Sequence, residues 1–114
     1  MNLSEFLTTL KTSPQDITFA DTMSVIEENY LFQETQFTNG DTVNAAGENS
    51  GSCKLFAFAK LNQLDPDATL SCFGDYYRKD VLENPDGTDH ANIRNFMKYG
   101  WDGIDFSGEA LSPK

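Results

Sequence analysis

The chain has 114 residues and a mass of 12.7 kDa, with 8 Lys and Arg against 18 Asp and Glu, which gives a formal charge of −10 and a pI near 4.2. That length supports one domain, and nine Phe, four Tyr and one Trp supply the apolar area for a genuine core. The negative excess repels phosphate backbones and anionic lipid, which argues against nucleic acid and membrane surfaces as partners.

Other classes fall away on length and pattern. The longest apolar run, Leu55 to Ala59, is far short of the ~20 residues that a membrane helix needs. The opening MNLSEFLTTLK lacks the basic start and long apolar stretch of a secretory signal peptide, so the reading is a cytoplasmic protein. Cys53 and Cys72 read as free thiols rather than a disulfide framework. Charge is also uneven: residues 1 to 50 hold eight acids and one base, a net of −7, whereas residues 51 to 99 hold seven acids and six bases. The acidic half suits a basic protein partner, met by a monomer.

Along the chain, Ser4 is a candidate cap for a first helix, in which Leu3, Phe6, Leu7 and Leu10 share one apolar face to about Thr12. A second helix begins near Asp21, with Met23, Ile26 and Tyr30 or Leu31 on its inner side. Phe32 to Thr38 loses the helical period and reads as extended, followed by the turn Asn39-Gly40-Asp41 and a loop to Gly51. Ser50 or Ser52 opens a third helix, Cys53 to about Gln63, whose nearly all-round apolar surface places it mid-core.

Asp65-Pro66-Asp67 gives a cap, a first-turn proline and an acid on the positive helix end, predicting a helix to about Asn84 with Leu70, Phe73, Tyr77 and Val81 buried. Gly74 within it costs up to ~1 kcal/mol relative to Ala, a cost that close approach of another element would explain. Asp89 caps a fifth helix bearing Ile93, Phe96 and Met97, which Gly100 ends. A short strand around Ile104 to Phe106 pairs with Gln36 to Thr38. The fold class is therefore α+β, mostly helical, with five helices and a two-stranded element.

One arrangement carries chemistry. Asn49-Ser50-Gly51-Ser52-Cys53 enters an apolar helix, and a thiol in a first helical turn is favoured as thiolate by the dipole and the unpaired N–H groups. With Cys53 as nucleophile, His90 as base and Asp89 or Asn92 as orienter, the set would be a cysteine hydrolase or acyltransferase. Against that stands the ordinary reading of a packed thiol and a capping histidine. Asn49, Ser52, Asp75, Tyr76 and Arg78 are candidate binding residues, the last three on one polar helix face. One His and two distant Cys cannot supply four zinc ligands, and the Gly40, Gly47 and Gly51 run lacks a Gly-Lys-Ser/Thr, so no metal, phosphate cradle or cofactor is expected.

Three separated runs carry a family likeness. They are Phe37-Thr38-Asn39-Gly40 with Asn44 to Gly47 and Asn49 to Ala59; Cys72-Phe73-Gly74-Asp75-Tyr76-Tyr77-Arg78; and Asp89 to Met97 with Gly100-Trp101. From the first helix to Phe106 the sequence resembles the HopJ (HopPmaJ) type III effector family. The resemblance implies a bacterial virulence-associated protein that is injected into host cells by type III secretion, and the acidic half or the Asp75 to Arg78 face suits it to binding a protein partner there. It carries across no catalytic residue.

Overall fold

The structure, a computed structural model, describes Met1 to Lys114 in full. The first helix, α1 (Leu3–Thr12), is capped two residues earlier than Ser4 implies: Asn2 accepts from the Glu5 amide and Glu5 reaches back to the Asn2 amide. Phe6 and Leu10 are its buried face. The same device starts α2 (Phe19–Asn29), where Thr18 is the cap and Asp21 the third helical residue rather than the first. A single 3-10 turn, Pro14–Asp16, lies between them.

The segment read as one extended stretch and a loop is three strands. β1 (Tyr30–Phe32) runs straight out of α2. β2 (Phe37–Asn39) and β3 (Thr42–Asn44) form a hairpin, with Gly40 at φ +59° making the turn. The strand expected in the tail is β4 (Ile104–Phe106), and it pairs antiparallel with β2, setting Phe37 opposite Phe106 and Thr38 opposite Asp105. The sheet therefore has three strands in the order β3-β2-β4. A second pair, β1 with β5 (Leu111–Pro113), ties the carboxyl end back to α2.

The central helix is α3 (Ser50–Leu61), starting three residues before Cys53, and its Leu55, Phe56, Phe58 and Ala59 are fully buried. Phe56 is the hub: its ring meets Phe96 at 5.1 Å, Phe73 at 5.5 Å, Phe37 at 6.1 Å and Trp101 at 6.5 Å. Burying each such ring stabilises the fold by roughly 1.5–3 kcal/mol.

The long helix expected from Pro66 to Asn84 does not form. Asp65 caps α4 as expected, but α4 (Pro66–Ser71) is short, and Gly74 at φ +63° turns the chain before a π-helical segment, Tyr76–Val81. The reason is contact: a Cβ on Gly74 would lie 2.8 Å from the backbone nitrogen of Phe19. The close approach inferred from the sequence is real, and it ends the helix. Finally α5 (Ala91–Tyr99) presents Ile93 and Phe96 to the core and stops at Gly100.

Candidate functional site

Three helices, α1, α2 and α4, have a side chain capping their first amide groups; α3 and α5 do not. In place of a cap, each begins after a residue in the left-handed region, Asn49 at φ 50° and His90 at φ 51°. Neither is glycine, so each position carries conformational strain. The two helix ends border one cleft of about 390 Å³. Asn49 and Ser52 at the start of α3, His90 and Asn92 at the start of α5, and the rings of Phe19 and Tyr76 line it.

Behind the cleft lies a network of asparagines that the sequence reading did not foresee. Asn92 Oδ1 accepts from Asn39 Nδ2 (3.0 Å) and Asn44 Nδ2 (3.1 Å), and Asn92 Nδ2 donates to Asn44 Oδ1 (3.1 Å). Asn49 Nδ2 donates to the same Asn44 oxygen at 2.7 Å, so the Asn49 side chain is turned away from capping its own helix. Asn39, Asn44 and Asn92 are buried. The hairpin β2-β3 thereby fixes the starts of both α3 and α5 by side-chain hydrogen bonds in a low-dielectric setting, where each lost partner is costly. Asparagine recurring at 39, 44, 49, 92 and 95, within segments read as turns and helix starts, was the available signal.

His90 is held by a carboxylate other than the expected one. Its Nε2 is 3.0 Å from Asp80 Oδ2 and 3.8 Å from Asp89 Oδ2. Since a carboxylate accepts, Nε2 is the donor of this contact, and Nδ1 has no partner within the protein. The Tyr76 ring sits 5.3 Å from the imidazole. Asp89 neither caps α5 nor orients His90: it pairs with Arg94 at 2.8 Å, and the Arg94 hydrogen bond, more than its charge, holds the carboxyl below the usual carboxylate range.

Cys53 does not meet the cleft. It is the fourth residue of α3, its amide already bonds the Asn49 carbonyl, and its thiol turns inward to the Thr35 carbonyl at 3.6 Å. Burial pushes the thiol above its ordinary value, outweighing the nearby Lys54 charge, so the activation expected from the helix dipole is not realised. No hydrogen bond joins Cys53 to His90. The residues of this turn that line the cleft are Gly51 and Ser52.

The Asp75–Arg78 face also divides. Arg78 spends its guanidinium on the carbonyls of Pro14 (3.2 Å) and Ile17 (2.6 Å), clamping the turn between α1 and α2. Asp75 is exposed and pairs loosely with Arg78 and Lys79. Tyr76 alone of that set reaches the cleft. No three His, Cys, Asp or Glu side chains come together as metal ligands, and no helix is long and apolar enough to cross a membrane.

Fold and site together define a small acidic α+β protein with a polar, aromatic-walled cleft between two uncapped helix starts. The chain belongs to the HopJ type III effector protein family, whose model matches residues 3–111. It is also similar to the crystal structure of an unknown-function protein, VPA0580, at 57% identity and a TM-score of 0.98, over 100% of this chain and 95% of that one. No curated protein matches the chain.

Proposed function

We propose that the protein is an interaction module of the HopJ type III effector class, delivered by type III secretion, that takes a segment of a partner protein into the cleft between α3 and α5. The observation that carries this reading is the asparagine network: buried amides whose hydrogen bonds fix both cleft walls while leaving Ser52, Tyr76 and His90 facing outward. A rigid floor of this kind lowers the ordering cost of binding. Tyr76, 46% exposed beside the cleft, is the aromatic type that anchors interfaces. The acidic amino-terminal half, net −7 over residues 1 to 50, favours a partner with basic flanks.

The test is site-specific photocrosslinking in cells, with a benzophenone amino acid at Tyr76 and, as control, at Leu82, which is equally exposed but lies elsewhere. A discrete adduct from position 76 that disappears when Ser52→Trp fills the cleft supports the reading. Equal adducts from both positions, indifferent to Ser52→Trp, contradict it. Delivery is tested separately by fusing a translocation reporter to the carboxyl end: signal in host cells that depends on an intact secretion apparatus supports it, and none contradicts it.

A further inference from the structure

Two groups that line the same cleft are left unpaired and are chemically complementary. One is the Ser52 hydroxyl, which makes no hydrogen bond within the protein; the other is Nδ1 of His90, whose opposite nitrogen is held by Asp80 at 3.0 Å. We infer that Ser52, His90 and Asp80 form an acyl-transfer site for carboxylic esters, with Ser52 as nucleophile, His90 as general base and Asp80 as the residue that fixes the ring.

The parts agree with the chemistry. A carboxylate on one imidazole nitrogen sets the tautomer and leaves the other nitrogen to take a proton. The Gly51 and Ser52 amides lie ahead of the first backbone bond of α3, Cys53 N–H to Asn49 C=O, and no side chain caps them. They are therefore free to donate to an oxyanion formed beside Ser52. Phe19, Phe73 and Tyr76 offer apolar walls to an acyl or alkyl group. Phosphate esters fit poorly, because Asp80 and Asp89 flank the histidine in a chain of net charge −10. A neutral ester carbonyl meets no such repulsion.

In the reaction, Ser52 Oγ adds to the ester carbonyl carbon as its proton passes to His90 Nδ1. The tetrahedral adduct then expels the alcohol oxygen, which takes that proton and leaves as the alcohol, giving acyl-Ser52. Water adds by the same route, its proton again passing through Nδ1, and the acid leaves with Ser52 restored. In the unloaded chain no hydrogen bond joins Ser52 to the ring; such contacts commonly tighten only when substrate is bound.

The test is labelling of the folded protein by a fluorophosphonate, with the modified residue mapped by mass spectrometry. Expected are attachment at Ser52 rather than Ser50, none in Ser52→Ala, and an unchanged rate in Cys53→Ala. His90→Gly, which suits the left-handed backbone at that position, should label about a hundredfold more slowly and recover with added imidazole. Asp80→Asn should slow the labelling step while leaving the probe concentration for half-saturation unchanged. Labelling of the folded wild type no faster than of Ser52→Ala, or labelling indifferent to His90→Gly, overturns the inference. Because the probe needs no partner protein, this outcome is independent of the crosslinking result.

Discussion

Nε2 of His90 stands 3.0 Å from Oδ2 of Asp80, although Asp89 is its neighbour in the chain and lies at 3.8 Å. The π-helical segment delivers Asp80 to the ring, and the left-handed backbone of His90 turns the ring into the cleft. The carboxylate adjacent in sequence is taken by Arg94. The surroundings of His90 are thus assembled from separate elements rather than from its chain neighbours.

Gly74 and Gly100 separate strain from contact. Both have φ above +60°, but a Cβ on Gly100 meets nothing within 4 Å, whereas one on Gly74 meets backbone at 2.8 Å. Gly100→Ala should cost about 1–3 kcal/mol from conformation alone. Gly74→Ala should cost more, on the order of 2–4 kcal/mol, because the Phe19 backbone cannot move aside cheaply. Urea denaturation of the two variants gives the comparison, and equal losses would refute the contact argument.

The asparagine network should behave as a unit. Asn44→Ala and Asn92→Ala each strand buried partners and should each lose about 2–4 kcal/mol. The double variant should lose clearly less than the sum, with a coupling of at least about 1 kcal/mol. Additive losses in denaturation would mean that the two amides act separately.

Arg78→Lys should destabilise despite keeping the charge. One ammonium cannot reproduce the fork that reaches the Pro14 and Ile17 carbonyls together, and a loss of about 1–3 kcal/mol is expected. A thermal midpoint within a degree or so of wild type would assign Arg78 to the surface instead.

The buried thiols make stability fall in alkali. Burial pushes Cys72 up to about 12 from 9.0, so the native state keeps a proton that the unfolded chain releases. The contribution is complete below pH 9 and is lost as pH rises from there towards 12, with Cys53 acting in the same direction. Denaturation at about pH 8 and about pH 10.5 should show a loss for wild type that is smaller in Cys72→Ala. An identical loss in both would contradict this assignment.

Much of the scaffold was legible in the sequence, because local signals there agreed with tertiary packing. The α3 core face, the Asp65 cap, the stop at Gly100 and the pairing of Ile104 to Phe106 with the segment ending at Thr38 all follow periodicity, capping and turn chemistry. The break at Gly74 was only half legible: the glycine signalled a close neighbour, but the positive φ that ends the helix is set by Phe19, 55 positions earlier. Asn49, Ser52, Tyr76, His90 and Asn92 were found as candidates and converge on the cleft. Of the two readings of Cys53, the packed thiol is the one the structure bears out, and the nucleophile reading fails by a single helical position, which turns a side chain by about 100° and here exchanges solvent for core. The pairings of Asn39 and Asn44 with Asn92 join residues 53 and 48 positions apart, and that of Asp80 with His90 crosses an irregular turn, so no spacing rule exposes them.

We propose that the cleft between α3 and α5 is where this protein recognises its ligand. A second groove, about 440 Å³ and lined by Leu61, Phe106 and Leu111, is larger and more apolar, so size and hydrophobicity alone favour it. The deciding measurement is a fragment screen read by amide chemical shifts of the isotope-labelled protein, using small aromatic esters, amides and acids. Shifts are expected to concentrate on Gly51, Ser52, Tyr76, His90 and Asn92, and to vanish in Ser52→Trp. Shifts centred on Leu61, Phe106 and Leu111, with the cleft amides unmoved, would contradict it.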